Sequence, residues 1–223
     1  MTSGKLDPSD TRAAERFILE NTKPLAPPLV PEITLRLAEE SLPIWQKTED
    51  ELGELNVPPP YWAFAWAGGQ AVSRYMLDNP GICRDQAVLD LGCGSGMSAI
   101  AAAMSGATRV TAADIDQLAL AACTLNAASN GVALETTSRD LLSSPPPNGA
   151  VIIVGDLFYE RQLADRVLRF IATAKEAGCS VYIGDPRRSY FPEGKFTPLA
   201  EYQVPVTREL EDYEIKRTTV WRA

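Results

Sequence analysis

Short apolar runs alternate with helical patterns over most of the chain after Gln86, and this alternation restricts the fold more than any other feature. The runs that predict strands are residues 87–92, 109–114, 132–138, 149–155 and 179–185. The helical patterns between them lie near residues 96–105, 116–130 and 160–177. Strands that alternate with helices form parallel βαβ units. The sequence therefore predicts an α/β fold with a doubly wound, mostly parallel sheet.

The residues before this core follow other patterns. Residues 9–21 place apolar side chains at helical spacing after a serine and an aspartate, which predicts a first helix. A second helix is predicted over residues 31–40, because a proline at the first position of a helix removes no helical hydrogen bond. A third is predicted to begin near Gly69 and to end at Asn79, directly before a proline. We expect residues 1–80 to form an N-terminal helical and aromatic extension.

The tail of the chain contains two β-like runs, residues 201–207 and 213–222, with no helical pattern between them. Strands that are joined without a crossover helix pair antiparallel, so we expect an antiparallel pair at the edge of the sheet. The length of 223 residues suits one main domain. We therefore expect residues 1–223 to form a single domain in which residues 81–223 are the sheet core.

Charge and residue usage exclude several classes of function. The chain carries a net charge of −8 at pH 7 and contains no histidine. An acidic chain lacks the attraction to phosphate on which most nucleic-acid binding depends. The absence of histidine removes histidine-based triads and metal ligands, and the four cysteines form no CxxC pair. We expect neither a nucleic-acid partner nor a metal site.

The hydropathy pattern indicates no membrane association. No run of 18 apolar residues is present, and the first residues lack both a signal-peptide core and the arginine-rich composition of a transit peptide. We therefore expect a monomer in the cytoplasm of a bacterium, with no membrane partner.

A glycine-rich turn, "VLDLGCGSG", follows the first strand of the core and precedes a helix rich in small residues. Gly92, Gly94 and Gly96 let the backbone approach a ligand closely, and the start of the helix offers free N–H groups. The turn therefore predicts a nucleotide-like ligand. The alternative is a βα turn that binds nothing.

Two carboxylates follow at the ends of the next two strands. Asp114 is suitably spaced after the glycines to accept hydrogen bonds from two ribose hydroxyls. Asp140 could accept one from an exocyclic amine. Taken alone, either residue could be an ordinary helix cap. Together with the glycine turn they predict an adenosine ligand.

The spacing of the glycines indicates which adenosine cofactor is bound. The turn has the pattern G-x-G-x-G, whereas dinucleotide-binding folds carry G-x-G-x-x-G. Asp90, in the strand before the turn, disfavours a nearby pyrophosphate but suits a ligand with an amino group and a sulfonium. "DLGCGSG" closely resembles the first motif of the class I S-adenosylmethionine-dependent methyltransferases.

This resemblance implies S-adenosyl-L-methionine as the cofactor and a Rossmann-like, seven-stranded class I methyltransferase sheet with an antiparallel terminal strand. Asp90, Asp114 and Asp140 join the three glycines as expected cofactor-binding residues. Ile115, which follows Asp114 in "ADID", completes this set.

The sequence "GDLFYE" after the fourth strand of the core narrows the substrate. Methyltransferases that modify base nitrogens or glutamine typically carry a D/N-P-P-Y type sequence there, which this chain lacks. Asp156 and Tyr159 resemble the D-x-x-Y/F signature of the seven-strand protein-lysine methyltransferases. With "WAFAWAGGQAVSRYMLDNP", "ADID" and "IGDPRR", the chain resembles the electron-transfer-flavoprotein β-subunit lysine methyltransferases over roughly residues 60–190. Ala67 departs from the proline of that family's W-P-G-G.

The family resemblance implies roles for two groups of residues and a partner. Asp156 would hold the substrate lysine, and Tyr159 is either a second hydrogen-bonding wall of that pocket or a packing residue. Trp66, Gly68, Gly69 and Gln70 would lie near the methionine part of the cofactor. The implied protein substrate is the β subunit of the electron transfer flavoprotein.

Three other functions fit parts of the pattern less well. "DIDQLALAACTLNAASNGV" also resembles the second motif of the ribosomal-protein lysine methyltransferases, but those enzymes usually carry an N-x-P-type sequence where this chain has "GDLFYE". A noncatalytic S-adenosylmethionine-binding module would have no reason to keep both the glycines and the Asp156 cluster. A NAD-dependent oxidoreductase would require a different glycine spacing.

Overall fold

A seven-stranded mixed sheet forms the centre of residues 6–38, 58–206 and 215–223, which the computed structural model describes. The strands are β1 Lys23–Leu25, β2 Leu35–Leu37, β3 Ala87–Leu91, β4 Arg109–Ala113, β5 Glu135–Thr137, β6 Val151–Gly155, β7 Ser180–Asp185, β8 Thr197–Pro205 and β9 Ile215–Arg222. The helices are α1 Thr11–Asn21, α2 Ala67–Asp78, α3 Met97–Met104, α4 Gln117–Ser129 and α5 Arg161–Glu176. No helix in these ranges is long and apolar enough to span a membrane.

The order of the strands in the sheet is β5-β4-β3-β6-β7-β9-β8. The first five run parallel, and β9 pairs antiparallel with both β7 and β8. The expected doubly wound sheet with an antiparallel end is therefore confirmed. β9 lies between β7 and β8, so the last strand of the chain has a neighbour on each side and β8 forms the edge.

Helices cover both faces of the sheet, which is why its central strands are apolar runs. Ile152 and Val154 of β6 pack on the side of α5, while Ile153 packs on the side of α2 and α3. All three side chains are fully buried. Parallel strands that are buried on both faces need apolar residues at every position, and "VIIV" provides them.

The predicted helix over residues 31–40 is wrong for the residues that the structure describes, 31–38. Leu35–Leu37 is a strand, β2, that pairs antiparallel with β1. Ile33, Leu35 and Leu37 are buried while the residues between them are not, which is the period of two that a strand shows. The prediction followed the proline and overlooked this alternation. Residues 39 and 40 lie outside the described ranges.

Side chains of α4 and of its C-cap residue replace the hydrogen bonds that a helix would have formed in this segment. The Asn130 amide oxygen accepts from the Thr34 N–H at 2.9 Å, and that of Asn126 accepts from the Arg36 N–H at 2.7 Å. These partners satisfy backbone donors that would otherwise be buried without a hydrogen bond.

Two other predicted strands have different bounds. The run over 132–138 forms a strand only at Glu135–Thr137, where it pairs with β4. The run over 201–207 begins earlier, at Thr197. Where the structure describes them, the bounds of the other core elements differ from the predicted ones by one or two residues. Residues 207, 213 and 214 of the two predicted tail strands lie outside the described ranges.

The first turn of α2 packs directly against the end of β7. A Cβ atom on Gly184 would lie 2.0 Å from the Gly68 carbonyl oxygen, and one on Gly68 would lie 2.2 Å from the Gly184 carbonyl oxygen. Only glycine allows two backbones to approach this closely. The N-terminus of α2 is thereby held at the carboxyl edge of the sheet.

Replacing Gly184 by alanine is expected to lower the free energy of unfolding by about 2 kcal/mol or more, since an added methyl group must displace packed backbone. Urea denaturation followed by circular dichroism measures this change. Gly81→Ala is the matched control, because nothing lies within 4 Å of a Cβ atom there. Equal stability of the two variants would contradict the close packing of α2 on β7.

Candidate functional site

A cavity of about 460 Å³ opens at the carboxyl ends of the parallel strands. It lies where β3 is flanked by β4 on one side and β6 on the other, the switch point at which such sheets bind ligands. Its walls include the candidate residues Trp66, Gly92, Gly94, Asp114, Ile115, Asp140, Asp156 and Tyr159. The structure therefore brings most of the sequence-predicted site together in one cavity.

The glycine turn adopts a conformation that favours glycine at three positions. Gly92, Gly94 and Gly96 have φ angles of 68°, 50° and 82°, in the left-handed region that other residues rarely adopt. Gly92 and Gly94 line the cavity. Gly96 lies behind it at the N-cap of α3, where a Cβ atom would be 2.5 Å from Cys123 Sγ.

Asp114 connects the second strand to the glycine turn. Its Oδ2 accepts from the Gly94 N–H at 2.9 Å, and its Oδ1 accepts from the Asp116 N–H at 3.0 Å. Burial raises the pKa of this carboxyl group, and these backbone donors oppose the rise. The Asp114 carboxylate thus faces the cavity from a fixed position. The next residue, Ile115, lines the cavity wall and is 74% exposed.

Asp90 lies beneath the turn and does not line the cavity. It is 2% exposed, and its Oδ2 accepts from the Ala99 N–H of α3 at 3.0 Å. Burial, together with nearby Asp114, raises the pKa of Asp90 to about 7. In this structure Asp90 supports the start of α3, and its predicted contact with the cofactor stays a prediction.

Asp140 lines the far end of the cavity and is half exposed. Arg166 of α5 forms an ion pair with it, and the same guanidinium donates to the Ser143 hydroxyl at 3.1 Å. No local sequence pattern predicts Arg166 here, because the two partners lie on different elements.

Asp156 is held by donors from two other elements. Its Oδ2 accepts from the Gly69 N–H of α2 at 2.8 Å. Its Oδ1 accepts from Arg188 Nε at 2.9 Å and Nη2 at 2.7 Å. Asp156 also has a φ angle of 58°, and a non-glycine residue in this region is often found at a functional site.

Aromatic side chains form the wall beside Asp156. The ring of Tyr159 lies 5.8 Å from that of Tyr61, which lies 6.1 Å from that of Trp66. The Trp66 indole N–H donates to the Tyr61 carbonyl oxygen at 2.8 Å. Burial raises the pKa of Tyr159, so its hydroxyl remains a neutral hydrogen-bonding group at physiological pH. Tyr61 had no predicted role.

Gln70 lies on α2 but does not line the cavity. Its side-chain amide donates to the Ala65 carbonyl oxygen at 2.7 Å and accepts from the Leu29 N–H at 3.2 Å. It therefore holds the N-terminal segment against α2, and its predicted place near the cofactor stays a prediction. Gly69 reaches the site only through its N–H group.

The end of β7 and the loop after it add two charged residues that had no predicted role. Arg188 lines the cavity, and its guanidinium lies 5.3 Å from the centre of the Trp66 ring. Asp185 is fully buried, and its Oδ1 accepts from the Arg188 N–H at 2.7 Å. Burial, with a contribution from the charge of Asp156, raises the pKa of Asp185 to about 7. The sequence "IGDPRR", which covers the end of β7 and the loop after it, was the available signal for these two residues. Every parallel strand of the sheet ends at the edge where the cavity opens.

The described ranges contain no group of three acidic or cysteine side chains placed to hold a metal ion. The chemistry of the cavity is that of carboxylates, guanidinium groups, phenols and backbone N–H groups.

Asp90→Asn is expected to stabilise the protein increasingly as the pH rises. The folded protein keeps the Asp90 proton to about pH 7, whereas the unfolded chain loses it near pH 4. The free energy of unfolding of the wild type therefore falls with rising pH in this window, by at most about 1.4 kcal/mol per pH unit for one proton. Asparagine keeps an oxygen acceptor for the Ala99 N–H and has no proton to lose.

Urea denaturation of both proteins at pH 4.5, 6 and 8 measures this effect. The free energy of unfolding of the variant minus that of the wild type should increase from pH 4.5 to pH 6 and again from pH 6 to pH 8. A difference that is the same at all three values would mean that Asp90 does not titrate in this range.

Comparisons with known proteins agree with this geometry. The family model described as "Ribosomal protein L11 methyltransferase (PrmA)" matches residues 72–178. The electron transfer flavoprotein beta subunit lysine methyltransferase of Xenopus laevis is 40% identical over 211 residues, 92% of this chain and 85% of that protein. The protein of the same name from Danio rerio is 38% identical over 215 residues, 93% of this chain and 82% of that protein.

A solved structure supports the fold. The magnesium protoporphyrin IX methyltransferase (ChlM) from Synechocystis PCC 6803, with bound SAM, has a TM-score of 0.51 to this chain. The superposition covers 70% of this chain and 78% of that one at 16% identity. Because the identity to the two vertebrate proteins extends over nearly the whole chain and most of each relative, the chain belongs to the electron transfer flavoprotein beta subunit lysine methyltransferase family.

Proposed function

We propose that this chain transfers methyl groups from S-adenosylmethionine to lysine side chains of the electron transfer flavoprotein β subunit. One observation carries the proposal: the glycine turn with Asp114 and the cluster of Asp156, Trp66 and Tyr159 line the same cavity. These residues would provide a nucleoside site next to a site for a cationic side chain. Membership of the lysine methyltransferase family supports the same reaction.

The cavity fits the cofactor in size and in chemistry. Its volume of about 460 Å³ lies within the range of ordinary small-molecule sites. The Gly92–Gly94 backbone and the Asp114 carboxylate would hold the adenosine part, and the start of α2 would face the methionine part. When bound, S-adenosylmethionine supplies an electrophilic methyl group on a positively charged sulfur.

The residues beside Asp156 would receive and orient the lysine. Trp66, Tyr61 and Tyr159 would shield the reacting amine from part of the solvent, and the negative face of an aromatic ring can attract a cation as it enters. Asp156 would aim the amine by accepting a hydrogen bond from it. Because Asp156 is fixed from α2 and from Arg188, its position does not depend on the substrate.

The lysine must lose a proton before it can attack a methyl group. At an unperturbed pKa of about 10.4, formation of the neutral amine at pH 7 costs roughly 4.6 kcal/mol. Partial removal of the amine from water in the cavity would lower this cost, because desolvation disfavours the charged form. An uncompensated carboxylate beside the amine would raise it again.

A second substrate class is favoured by one observation. The family model of the ribosomal protein L11 methyltransferases matches residues 72–178, which include the glycine turn, Asp114 and Asp156. This segment forms the cofactor-binding side of the cavity and only part of the lysine side. A ribosomal protein is therefore the alternative substrate that a test must include.

The substrate is tested by incubation of the protein with labelled S-adenosylmethionine and, in separate reactions, with purified electron transfer flavoprotein or ribosomal protein L11. We expect label on lysines of the flavoprotein β subunit, located by mass spectrometry. Label on L11 alone would replace the proposed substrate with the alternative one. Cofactor binding without transfer to either protein would favour a noncatalytic binding module.

Asp114→Ala is expected to weaken binding of S-adenosylmethionine by tenfold or more, since it removes the acceptor for the ribose and releases the Gly94 N–H. Isothermal titration calorimetry measures the dissociation constant. Asp165→Ala, which removes an exposed carboxylate of α5, is the control and should bind as the wild type does. Equal affinities in the two variants would remove Asp114 from the cofactor site.

Asp156→Ala is expected to abolish methyl transfer while leaving the affinity for S-adenosylmethionine within about threefold of the wild type. Asp156→Asn keeps the shape and one oxygen acceptor, and it should lose transfer by a smaller factor. Initial rates with labelled cofactor and calorimetric binding constants measure the two effects separately. Normal turnover by Asp156→Ala would remove this residue from the mechanism.

A further inference from the structure

We propose that Arg188 is a positioning residue which compensates the charge of Asp156, so that the substrate lysine is held beside that carboxylate as the neutral, reactive amine. The inference rests on the proposed function and deepens it. It answers how an acidic side chain can hold a lysine without also keeping it protonated.

The geometry places Arg188 between Asp156 and the aromatic wall. Two of its guanidinium nitrogens lie 2.9 and 2.7 Å from Asp156 Oδ1. The guanidinium carbon lies 5.3 Å from the centre of the Trp66 ring, within the range of a cation–π contact. Both side chains of the ion pair are largely buried, with 16% and 11% of their surface exposed. Water therefore screens this pair less than it screens a surface pair.

The backbone of Arg188 is held in position by Asp185. Asp185 accepts from the Arg188 backbone N–H at 2.7 Å. The other Asp185 oxygen, Oδ2, is buried without a hydrogen-bond partner among the described residues. The negative charge of Asp156 also acts on Asp185 and raises its pKa. Removal of Arg188 would therefore take its positive charge away from two neighbouring carboxyl groups.

The charge balance of this wall decides which form of the lysine is favoured. A lone Asp156 would stabilise the ammonium form and oppose loss of the proton. With Arg188 in place the net charge of the pair is close to zero, and the guanidinium disfavours a second cation nearby. A carboxylate oxygen can accept from more than one donor, so the pair can still orient an amine by hydrogen bonding. The lysine proton leaves to solvent.

Other titratable groups face the cavity, and their effects must be separated from the effect of Arg188. In the described ranges they are Tyr61, Asp114, Asp116, Arg139, Asp140, Tyr159 and Arg166 on the cavity wall, with Glu160 and Asp185 adjacent to it. The first turn of α2 brings only backbone and uncharged side chains. Arg188 is the basic residue of this set that contacts Asp156.

The test is the pH profile of the rate at saturating cofactor and saturating flavoprotein, recorded from pH 6.5 to pH 10. This rate reports the titration of groups in the enzyme–substrate complex. For Arg188→Gln we expect the midpoint to move upward by on the order of one pH unit, with a large loss of rate at pH 7 that is mostly recovered at pH 10. Arg188→Lys keeps the charge and should keep the midpoint.

Two further variants make the result specific. Arg187→Gln removes a positive charge from the same loop, where the side chain lies near Glu193 and Trp221 instead of the cavity. It should leave the profile unchanged. The comparison is repeated in the Asp185→Asn background, with and without Arg188→Gln. The same upward shift of the midpoint should be present there, which excludes titration of Asp185 as its source.

Each other outcome overturns the proposal. A rate that falls by the same factor at every pH, with an unmoved midpoint, would mean that Arg188 only supports the structure. A lower KM and a faster rate without a shift would mean that Arg188 obstructs the lysine site. If the wild type transfers no methyl group at any pH, the proposed function itself fails, and this inference fails with it.

Discussion

The contact between the first turn of α2 and the end of β7 is the constraint on which the rest of the site depends. Gly68 and Gly184 approach so closely that neither position has room for a side chain. This contact brings the Gly69 N–H to Asp156 and places Trp66, the residue before α2, beside the loop that carries Arg188. An N-terminal helix and the carboxyl edge of the sheet thus form one cavity from segments far apart in sequence.

Local sequence patterns predicted the features that depend on residues close to one another in the sequence. The glycine turn and Asp114 were predicted because left-handed glycines and a strand-end carboxylate belong to a single βα unit. The doubly wound, mostly parallel sheet was predicted from the alternation of strands and helices. The error over residues 31–40 has the opposite origin. There the backbone donors of Thr34 and Arg36 bond to asparagines at the C-terminal end of α4 that are 96 and 90 residues away. No local pattern contains that information.

The same limit applies to the charged part of the site. Asp156 was predicted from a motif of four residues, but Arg188, its ion-pair partner, lies 32 residues further along. Asp90 and Gln70 carry motif positions, yet in this structure they support α3 and the N-terminal segment. A motif indicates which residues belong to a site. Only the packing of elements shows which of them face the ligand and which hold its walls.

The place of β9 inside the sheet has a consequence for how the protein forms during synthesis. β8 pairs only with β9 among the described strands, and β9 also closes onto β7. Near the end of β9, the ring centre of Trp221 lies 5.0 Å from that of Phe191, which belongs to the segment between β7 and β8. Until residues 215–222 have left the ribosome, one edge of β7 presents unpaired backbone N–H and C=O groups, and β8 has no partner among the described strands. The nascent chain therefore acquires its full sheet only after its last strand is available.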